Sequence, residues 1–470
     1  MYKKDLGMSY FYAVKDGDGG MHYIATRQTN ELWLTEIPDH WDIRKIKYVF
    51  TERVEKGYPN EPLLVASQNM GVVPKNVYGN RTVEAMKDLQ NLKLVRVGDF
   101  VISLRSFQGG IEYAYYQGII SPAYTVMVPN NHIIPGYFRF LSKSRLFIEL
   151  LQMCVTGIRE GQNIDYNKLK NHHIPLPPYE EQDQIVRYLD WKVSQINKLI
   201  NIKRRQIALL KEQKRAVIVK ATNKGLNKSK MINSGIKEIG DLPADWSFSV
   251  GKRIFTLFGG SVPDNELSIV QKFDWKKNYY FTVNTMNHTK YGFEMVYDNS
   301  MFFMPTKYIP FSAPLLLIPK RGGAIYTNKV RISNRDCLVD PNIMAIRVKG
   351  DIYYYAYFLF GRTLSDVGDI SSVPQINNKH INHLYVLIPP IAEQNKIVEY
   401  LNQQCLRIDK VINNLYDEIT MFTEYRTRHI SDVASGKLNV WGVVVPKVDV
   451  VVDVADDGDA EAVDEVEDME

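Results

Sequence analysis

The chain has 470 residues, 45% of them apolar and 24% charged, with 29 Tyr and 19 Phe. A single core stops growing near roughly 250–300 residues, so we expect several domains, and this composition excludes global disorder. The net charge of +5 conceals 11 acidic and no basic residues at 449–470, without which the charge is +16. So basic a body indicates a polyanionic partner, and the acidic segment is typical of a disordered, solvated tail.

The cysteines and the hydropathy of the sequence indicate the cellular compartment in which the protein is expected. Cys154, Cys337 and Cys405 are odd in number and far apart in the sequence, which argues against a disulfide framework. No apolar run approaches the roughly 20 residues of a membrane span, and the N-terminus has no continuous apolar signal core. We therefore expect a cytoplasmic protein.

The first globular domain is expected over 29–175, after an extension at 1–28. It opens with "LTEIPDHWDIRKI", which contains Pro38 and Trp41. The strand-like run "VGDFVISL" follows, then Gly109-Gly110 and the polar loop "GIREGQN". These signals predict a mixed unit of class α/β (α+β).

A long helix is predicted next, over 176–226. Pro177-Pro178 favour a helix start after them, and Gly225 is a suitable stop. From Leu189 onward, ten positions at alternating steps of four and three include eight apolar residues, which is a heptad-like seam.

The second half of the chain repeats the first. "PLPPYEEQDQIVRYLD" returns as "VLIPPIAEQNKIVEYLN" at an offset of 212, with eight identities in 14 aligned positions, where ordinary residue usage gives about one. Pro243 and Trp246 match Pro38 and Trp41 at an offset of 205. We therefore expect a second domain over 227–387, a second long helix over 388–440 and an acidic tail over 441–470.

The apolar seams of the two predicted helices must be buried against another surface. Each covers about 45 residues, or roughly 67 Å, which is too long to be buried against one small domain. The economical solution is an antiparallel coiled coil that places two copies of one domain at opposite ends of a rigid spacer. A purely structural coiled coil remains an alternative explanation of the seam.

Motifs for catalysis are missing from the sequence. The nearest string to an Asn/Asp-Pro-Pro-Tyr methyltransferase motif begins with Leu176, which cannot hydrogen-bond a target amine. There is no Gly-rich nucleotide loop, no ATP-binding loop and no Gly-x-Ser-x-Gly elbow. Glu212-Gln213-Lys214 lies within the helix, and the pairs His172-His173 and His380-x-x-His383 lack other zinc ligands at the usual spacing. We predict a chain without a catalytic centre, a metal or a cofactor of its own.

From about residue 29 to 440 the chain resembles the specificity subunits of type I restriction–modification enzymes. The resemblance is carried by the Pro-Pro-x-x-Glu-Gln segments at 177–182 and 389–394, the Pro-x-x-Trp openings, "SPAY" at 121–124 and the ending "SDVASGKLNVWG". The second domain departs from this pattern because it lacks the "SPAY" run.

The resemblance implies two target-recognition domains that each read one half of a divided site in double-stranded DNA. It implies helices that set the gap and dock methyltransferase subunits, and it implies two methyltransferase and two restriction subunits as partners. Those partners would use S-adenosylmethionine, ATP and Mg for adenine-N6 methylation and ATP-dependent cleavage. The residues expected at the helix starts and in partner docking are Pro177, Pro178, Glu181, Gln182, Pro389, Pro390, Glu393 and Gln394.

Candidate DNA contacts are basic or amide side chains in predicted loops, because Lys and Arg bind phosphates and Arg, Gln and Asn read base edges. Loop residues of this kind are often merely solvated. The candidates are Arg105, Gln108, Arg159, Gln162, Asn163, Lys320, Arg321, Lys329, Arg331, Arg335, Gln375, Asn377, Asn378 and Lys379.

Two other classes of function stay open at this point. A structural or adhesin-like coiled-coil protein would show no salt-dependent DNA binding. A self-contained methyltransferase would bind S-adenosylmethionine by itself.

Overall fold

A computed structural model divides the chain into two compact units. The first combines Met1–Asn201 with Glu418–Glu470, and the second is Ile202–Asp417. The structure describes residues 13–15, 21–78, 88–104, 106–157, 163–227, 230–261, 268–269, 278–287, 289, 292–297, 302–304, 308–369 and 374–446.

The first unit is built around short antiparallel strands. One sheet has four strands in the order β11-β10-β13-β6, and β5 pairs with β16. The strands are β1 Ala13–Lys15, β2 Met21–Tyr23, β3 Thr26–Glu31, β4 Leu34–Pro38, β5 Asp42–Lys45, β6 Phe50–Arg53, β7 Leu64–Ser67, β8 Gly71–Pro74, β9 Lys93–Val95, β10 Phe100–Ile102, β11 Glu112–Tyr113, β12 Gly118–Ile120, β13 Thr125–Pro129, β14 Val155–Thr156, β15 Asn163–Ile164 and β16 His173–Leu176. The helices are α1 Lys75–Tyr78, α2 Ser106–Gly109, α3 Pro135–Leu141, α4 Arg145–Met153, α5 Tyr166–Leu169 and the long α6 Tyr179–Lys224, with a 3-10 turn at Ile46–Tyr48.

The second unit has two four-stranded sheets, β20-β27-β24-β25 and β21-β23-β22-β26, and a β19-β28 pair. Its strands are β17 Met231–Asn233, β18 Asp241–Pro243, β19 Ser247–Val250, β20 Phe255–Gly259, β21 Ser268–Ile269, β22 Asn278–Phe281, β23 Phe302–Met304, β24 Leu315–Pro319, β25 Arg331–Ser333, β26 Cys337–Val339, β27 Ile343–Val348 and β28 Tyr385–Ile388. Its helices are α7 Gly251–Ile254, α8 Gly323–Tyr326, α9 Ile352–Arg362, α10 Leu364–Val367, α11 Asn378–His383 and the long α12 Ile391–Ala434. The mixed α and β class predicted from the sequence is confirmed.

The two units repeat one local design where each long helix begins. Asp42 pairs with Leu176 in β5-β16, and Ser247 pairs with Ile388 in β19-β28, at the offsets of the sequence repeat. A Pro-Pro pair then follows β16 or β28 and leads into α6 or α12. Because proline disfavours helix before it and tolerates the first helical turn, the strand ends and the helix starts at this point.

Each unit contains the first turns of one long helix and the last turns of the other. In the first unit, Val433 and Ala434 from the end of α12 lie in the same core as Trp41 and Tyr137, and Tyr137 Oη donates to the Ala434 carbonyl at 2.9 Å.

In the second unit, Ile218 and Ala221 from the end of α6 join the core of Tyr354, whose hydroxyl donates to the Thr222 carbonyl at 3.1 Å. Thr222 and Ala434 are equivalent at the offset of 212. The same tyrosine-to-helix-end hydrogen bond therefore occurs in both units.

Within each unit the two helical segments contact each other. In the first unit, Tyr188 Oη lies 2.9 Å from His429 Nε2, and Arg426 donates to Asn197 Oδ1 at 2.6 Å. Partner numbers on α12 fall as those on α6 rise, so the segments run antiparallel there.

In the second unit, Lys214 Nζ lies 2.7 Å from both carboxylate oxygens of Asp409. Lys211 Nζ lies 5.8 Å from the centre of the Tyr416 ring, so these segments are antiparallel as well. The pair with Asp409 explains a lysine at a position of the predicted apolar seam, since a charge is tolerated there when it has a partner.

Two predicted boundaries differ from the structure. Residues 21–28 of the predicted extension form β2 and part of β3, and the Tyr23 hydroxyl donates to Glu181 on α6. Residues 441–446 of the predicted tail are described as well, and Gln184 Nε2 donates to the Val443 carbonyl at 2.8 Å. The acidic residues from 449 onward lie outside the described residues. All three cysteines are free and buried, as expected for a chain without a disulfide framework.

Candidate nucleic-acid interface

In the first unit, residues 103–104 and 106–110 belong to a hydrogen-bonded loop that presents Gln108 to solvent. The Ser103 amide donates to Ser106 Oγ at 2.9 Å, and the Gly110 amide donates to the Ser106 carbonyl at 2.8 Å. Ser106 is fully buried and Gln108 is exposed on α2. The candidate Arg105 lies outside the described residues.

Two glycines let this loop pack against its neighbours. A Cβ on Gly109 would lie 2.7 Å from the side chain of Gln68, and one on Gly110, at φ +89°, would lie 2.3 Å from the Ser142 carbonyl oxygen. Only glycine fits a positive φ so close to another backbone.

The loop therefore lies beside the β7–β8 turn, where Gln68 and Asn69 are exposed. This turn is not among the DNA contacts predicted from the sequence. Its signal is the polar run Gln68-Asn69 between two apolar strands.

Lys143 holds the loop and the turn together from beneath. Its Nζ donates to the carbonyl oxygens of Gly109 at 2.9 Å and Gln68 at 3.2 Å, and lies 2.8 Å from both carboxylate oxygens of Glu112. Glu112 is 1% exposed, and burial raises its pKa to about 7 although the Lys143 charge acts in the opposite direction.

The second polar loop of this unit is described only at its ends. The candidates Arg159 and Gln162 lie outside the described residues, whereas Asn163 is exposed at the start of β15. β15 lies against α2, which carries Gln108. The structure thus brings α2 of the first predicted loop next to Asn163, the described end of the second.

The second unit brings together its own glycine loop and polar loop. Arg321 and Gln375 form an antiparallel bridge, the Ile376 amide donates to the Lys320 carbonyl at 2.9 Å, and the Gly322 amide donates to the Pro374 carbonyl at 3.2 Å. Arg321 and Gln375 are exposed, as are Asn378 and Lys379, while Lys320 is half-buried. These candidates, more than 50 residues apart in the sequence, share one surface.

Asn377, which lies on this surface, is the N-cap residue of α11. Its Oδ1 accepts the amides of Lys379 at 3.0 Å and His380 at 3.3 Å, so it caps α11. The matching residue of the first unit, Asp165, caps α5 by accepting from Asn167 and Lys168. The side-chain oxygen of Asn377 is therefore engaged by the helix.

The remaining basic candidates lie on or beside β25 and contact the protein itself. Arg331 donates to the Met286 carbonyl at 2.7 Å, and burial lowers its pKa. Burial and the neighbouring Arg331 charge lower the pKa of Lys329. The Arg335 guanidinium lies 4.7 Å from the ring centre of Tyr297. Burial, which disfavours the charged form, is the first cause of the lowered pKa of both Lys329 and Arg331.

The helix-start glutamines Gln182 and Gln394 are buried, and their side chains hydrogen-bond to backbone groups outside their own helices. Gln182 Nε2 donates to the Pro177 carbonyl at 2.9 Å and the His132 carbonyl at 3.1 Å, and its Oε1 accepts the Ile134 amide at 2.7 Å. Gln394 Nε2 likewise donates to the Pro389 carbonyl at 2.9 Å, and its Oε1 accepts an amide at the start of α9.

The glutamate before each glutamine contacts the opening segment of its domain. Glu181 accepts from the Tyr23 hydroxyl and lies 2.8 Å from His40 Nε2. Glu393 accepts the Trp246 indole N–H at 2.9 Å. Pro177 and Pro389 are buried, whereas Pro178 is half-buried and Pro390 exposed, so the polar groups of this motif act within their own unit and partner docking stays a prediction.

The part of the chain that the structure describes contains no group of three or more His, Cys, Asp or Glu residues that could hold a metal ion. Among the same residues, no helix is both long and apolar enough to cross a membrane.

Comparison with known proteins gives concordant matches. The profile of the type I restriction modification DNA specificity domain matches twice, at residues 38–212 and 243–421. The chain is 22% identical over 453 residues to the type I restriction enzyme MjaVIII specificity subunit of Methanocaldococcus jannaschii, covering 89% of this chain and 98% of that protein. It is 23% identical to a putative type I restriction enzyme MjaX specificity subunit of the same organism, covering 86% and 95%.

A solved structure shares the fold. It is a chain described in connection with complex assembly and conformational transition of the type I R-M system, with a TM-score of 0.64 and 15% identity. The similarity covers 86% of this chain and 99% of that one.

Proposed function

We propose, from the premise that this chain belongs to the family of type I restriction modification DNA specificity proteins, that its two units each read one part of a divided DNA site. The chain is a specificity subunit with two target-recognition domains, and it is not itself the catalyst. A structural or adhesin-like role is not favoured, since both profile matches are to a DNA specificity domain.

The observation that carries the proposal is the duplication of one surface. In each domain a Gly-Gly loop lies beside a polar loop, and exposed amide or guanidinium groups line both. Gln108 and Asn163 occupy this surface in the first unit, and Arg321, Gln375 and Asn378 in the second. Such side chains recognise base edges through paired hydrogen bonds, so two copies with different residues suit two different half-sites.

We further propose that α6 and α12 form an antiparallel coiled coil over their whole length. The antiparallel contacts inside each unit and the apolar seams support this arrangement. α6 has 46 residues, which is about 69 Å at 1.5 Å per residue. That length exceeds one duplex turn of about 34 Å and would leave unread base pairs between the half-sites.

Chemistry would come from partner subunits. The sequence has no methyltransferase or ATP-binding motif, so we propose assembly with two methyltransferase and two restriction subunits in the cytoplasm. Those partners would use S-adenosylmethionine for adenine-N6 methylation, and ATP and Mg for cleavage, and this chain would need no cofactor.

Sequencing of the methylated bases in cells that express the chain with its methyltransferase subunit tests the proposal. We expect a motif of two short sequences separated by a fixed number of unspecified base pairs. A continuous motif, or no methylation above that of cells with the methyltransferase subunit alone, would contradict it.

A further inference from the structure

We propose that each unit carries a phosphate patch, a group of cations at the foot of its polar loop that binds the DNA backbone irrespective of base sequence. The inference rests on the proposed function and adds a binding surface to it. The first phosphate patch comprises Lys47, Lys168 and Lys170, and the second comprises Lys252, Arg253 and Lys379.

In the first unit, two short helical segments lie side by side. The Ile46 amide donates to the His172 carbonyl at 2.9 Å, and the Lys47 amide donates to the Lys170 carbonyl at 3.0 Å. These bonds bring the 3-10 turn Ile46–Tyr48 next to the end of α5 although more than 120 residues separate them.

In the part of the chain that the structure describes, two cations of this first patch have amide rather than carboxylate partners. Lys47 donates to the Asn171 side-chain oxygen at 3.0 Å, and Lys170 donates to that of Asn167 at 2.6 Å. Within the described residues, Lys47, Lys168 and Lys170 form no ion pair. Three positive charges on these two adjoining segments are therefore without an ion-pair partner among the described residues.

The second unit builds the same arrangement from different residues. The Gly251 amide donates to the Leu384 carbonyl at 2.8 Å, which is the counterpart of the bond from Ile46 to His172. A Cβ on Gly251 would lie 1.9 Å from the Ile381 carbonyl oxygen, so glycine permits this close approach of α7 and α11.

One cation of each phosphate patch follows the internal repeat. Lys252 stands at the offset of 205 from Lys47, and α11 stands at the offset of 212 from α5, with equivalent caps at Asp165 and Asn377. Lys252, Arg253 and Lys379 are exposed, and none of them forms an ion pair in the part of the chain that is described. Two domains with different loops thus keep an uncompensated cationic group at one position of the fold.

Position identifies DNA phosphates as the ligand. Asn163 precedes the α5 cap by two residues, and its equivalent Gln375 precedes the α11 cap by two residues. Each phosphate patch therefore adjoins a loop that we propose to read bases. Because phosphate contacts fix the register of a protein on DNA while base contacts specify sequence, cations beside a reading loop suit the flanking backbone.

Salt-dependent binding tests the phosphate patches in the complex with methyltransferase subunits. Fluorescence anisotropy would follow binding to a labelled duplex that contains the methylated motif and to one of random sequence. The variants are Lys47→Gln/Lys168→Gln and Lys252→Gln/Arg253→Gln. The charge-matched controls are Lys56→Gln/Lys437→Gln and Lys230→Gln/Lys237→Gln.

We expect the slope of log K against log salt to become shallower by about 0.9 for each lost phosphate contact, or about 1.8 for each double variant. Both duplexes should show this change, the controls should not, and the methylated motif should stay the same. Lys47→Arg/Lys168→Arg should retain the original slope, because the charge is kept.

An unchanged slope in the patch variants, or an equal change in the controls, would overturn the inference. So would loss of the methyltransferase subunits from the variant complex without a change of slope, because the surface would then bind protein. Failure of the unmodified complex to prefer its motif over the random duplex would instead contradict the proposed function.

Discussion

The ionisable pair Glu112–Lys143, which lies beneath the loop that carries Gln108, shows how one buried side chain can govern a surface. Glu112 is almost completely removed from water, yet it is 2.8 Å from Lys143 Nζ, which also donates to two loop carbonyls. Burial raises the pKa of Glu112 to about 7, so its carboxyl group changes charge near neutral pH. The strength of the contact between Lys143 and the loop should follow that charge.

We predict that Glu112→Gln flattens the pH dependence of stability. A carboxyl group whose pKa is raised by folding favours the folded state at low pH, and this contribution is lost as pH rises from about 4.5 to about 7. At 1.36 kcal/mol per pKa unit, the unmodified protein should lose up to about 3 kcal/mol relative to the variant over that interval. Urea unfolding at several pH values measures the difference.

The exposed Glu149 supplies the control. Glu149→Gln removes a carboxyl group from the exposed surface of α4 and is the matched substitution. A difference for Glu112→Gln that stays constant with pH would show that the Glu112 carboxyl group ionises in the folded protein as it does in the unfolded chain.

For single residues, the sequence predicts which side chains have suitable chemistry better than it predicts which of them lie close together. Gln108 and Arg321 can be chosen as candidates because they stand beside glycine pairs in predicted loops. Neither the contact between Gly109 and Gln68 nor the bridge from Arg321 to Gln375 can be predicted, because each joins segments that are far apart in the chain. The capping role of Asn377 is also hidden until the start of α11 is known.

The long helices are the elements that their sequence describes best. Proline pairs and glycines predict helices over 176–226 and 388–440, and the structure has Tyr179–Lys224 and Ile391–Ala434. The seam pattern does not predict which contacts attach each helix to its domain. That depends on buried glutamines whose partners are backbone groups of other segments.

We predict that Gln182→Ala destabilises the first unit by at least about 3 kcal/mol, because three backbone groups that hydrogen-bond to the buried Gln182 are left unpaired and each costs about 1–3 kcal/mol. The amide of Ile134 and the carbonyl oxygens of His132 and Pro177 would lose their partner. Chemical denaturation measures the loss. Gln403→Ala, at an exposed position of α12, should change stability by less than about 0.5 kcal/mol. Equal losses of stability for the two substitutions would show that the buried hydrogen bonds of Gln182 do not stabilise the first unit.

For the whole molecule, duplication separates the reading of two half-sites. Each domain has its own core and its own polar surface, and the profile matches each domain separately. The sequence repeat makes this organisation predictable, since an identity of eight in 14 positions is visible without a structure. The bases that each surface recognises depend on side-chain positions in the duplex groove.

We predict that exchange of residues 29–175 for the same domain of a related protein changes only one half of the methylated motif. Under the proposed function, base contacts of one domain act on one half-site, and the long helices that we propose to set the gap are untouched. Sequencing of methylated bases measures the result. The reciprocal exchange of 227–387 should alter the other half. A simultaneous change of both halves would contradict two independent readers.

The tyrosine-to-helix-end bonds have a consequence for the continuity of the chain. Tyr137 binds the end of α12, and Tyr354 binds the end of α6, so each domain is completed by a segment that belongs to the other half of the sequence. A break of the peptide chain just after α6 would leave two fragments, each carrying the piece that the other fragment's interior lacks. Their association would then depend on concentration, as for any pair of subunits, while the two interiors could still form.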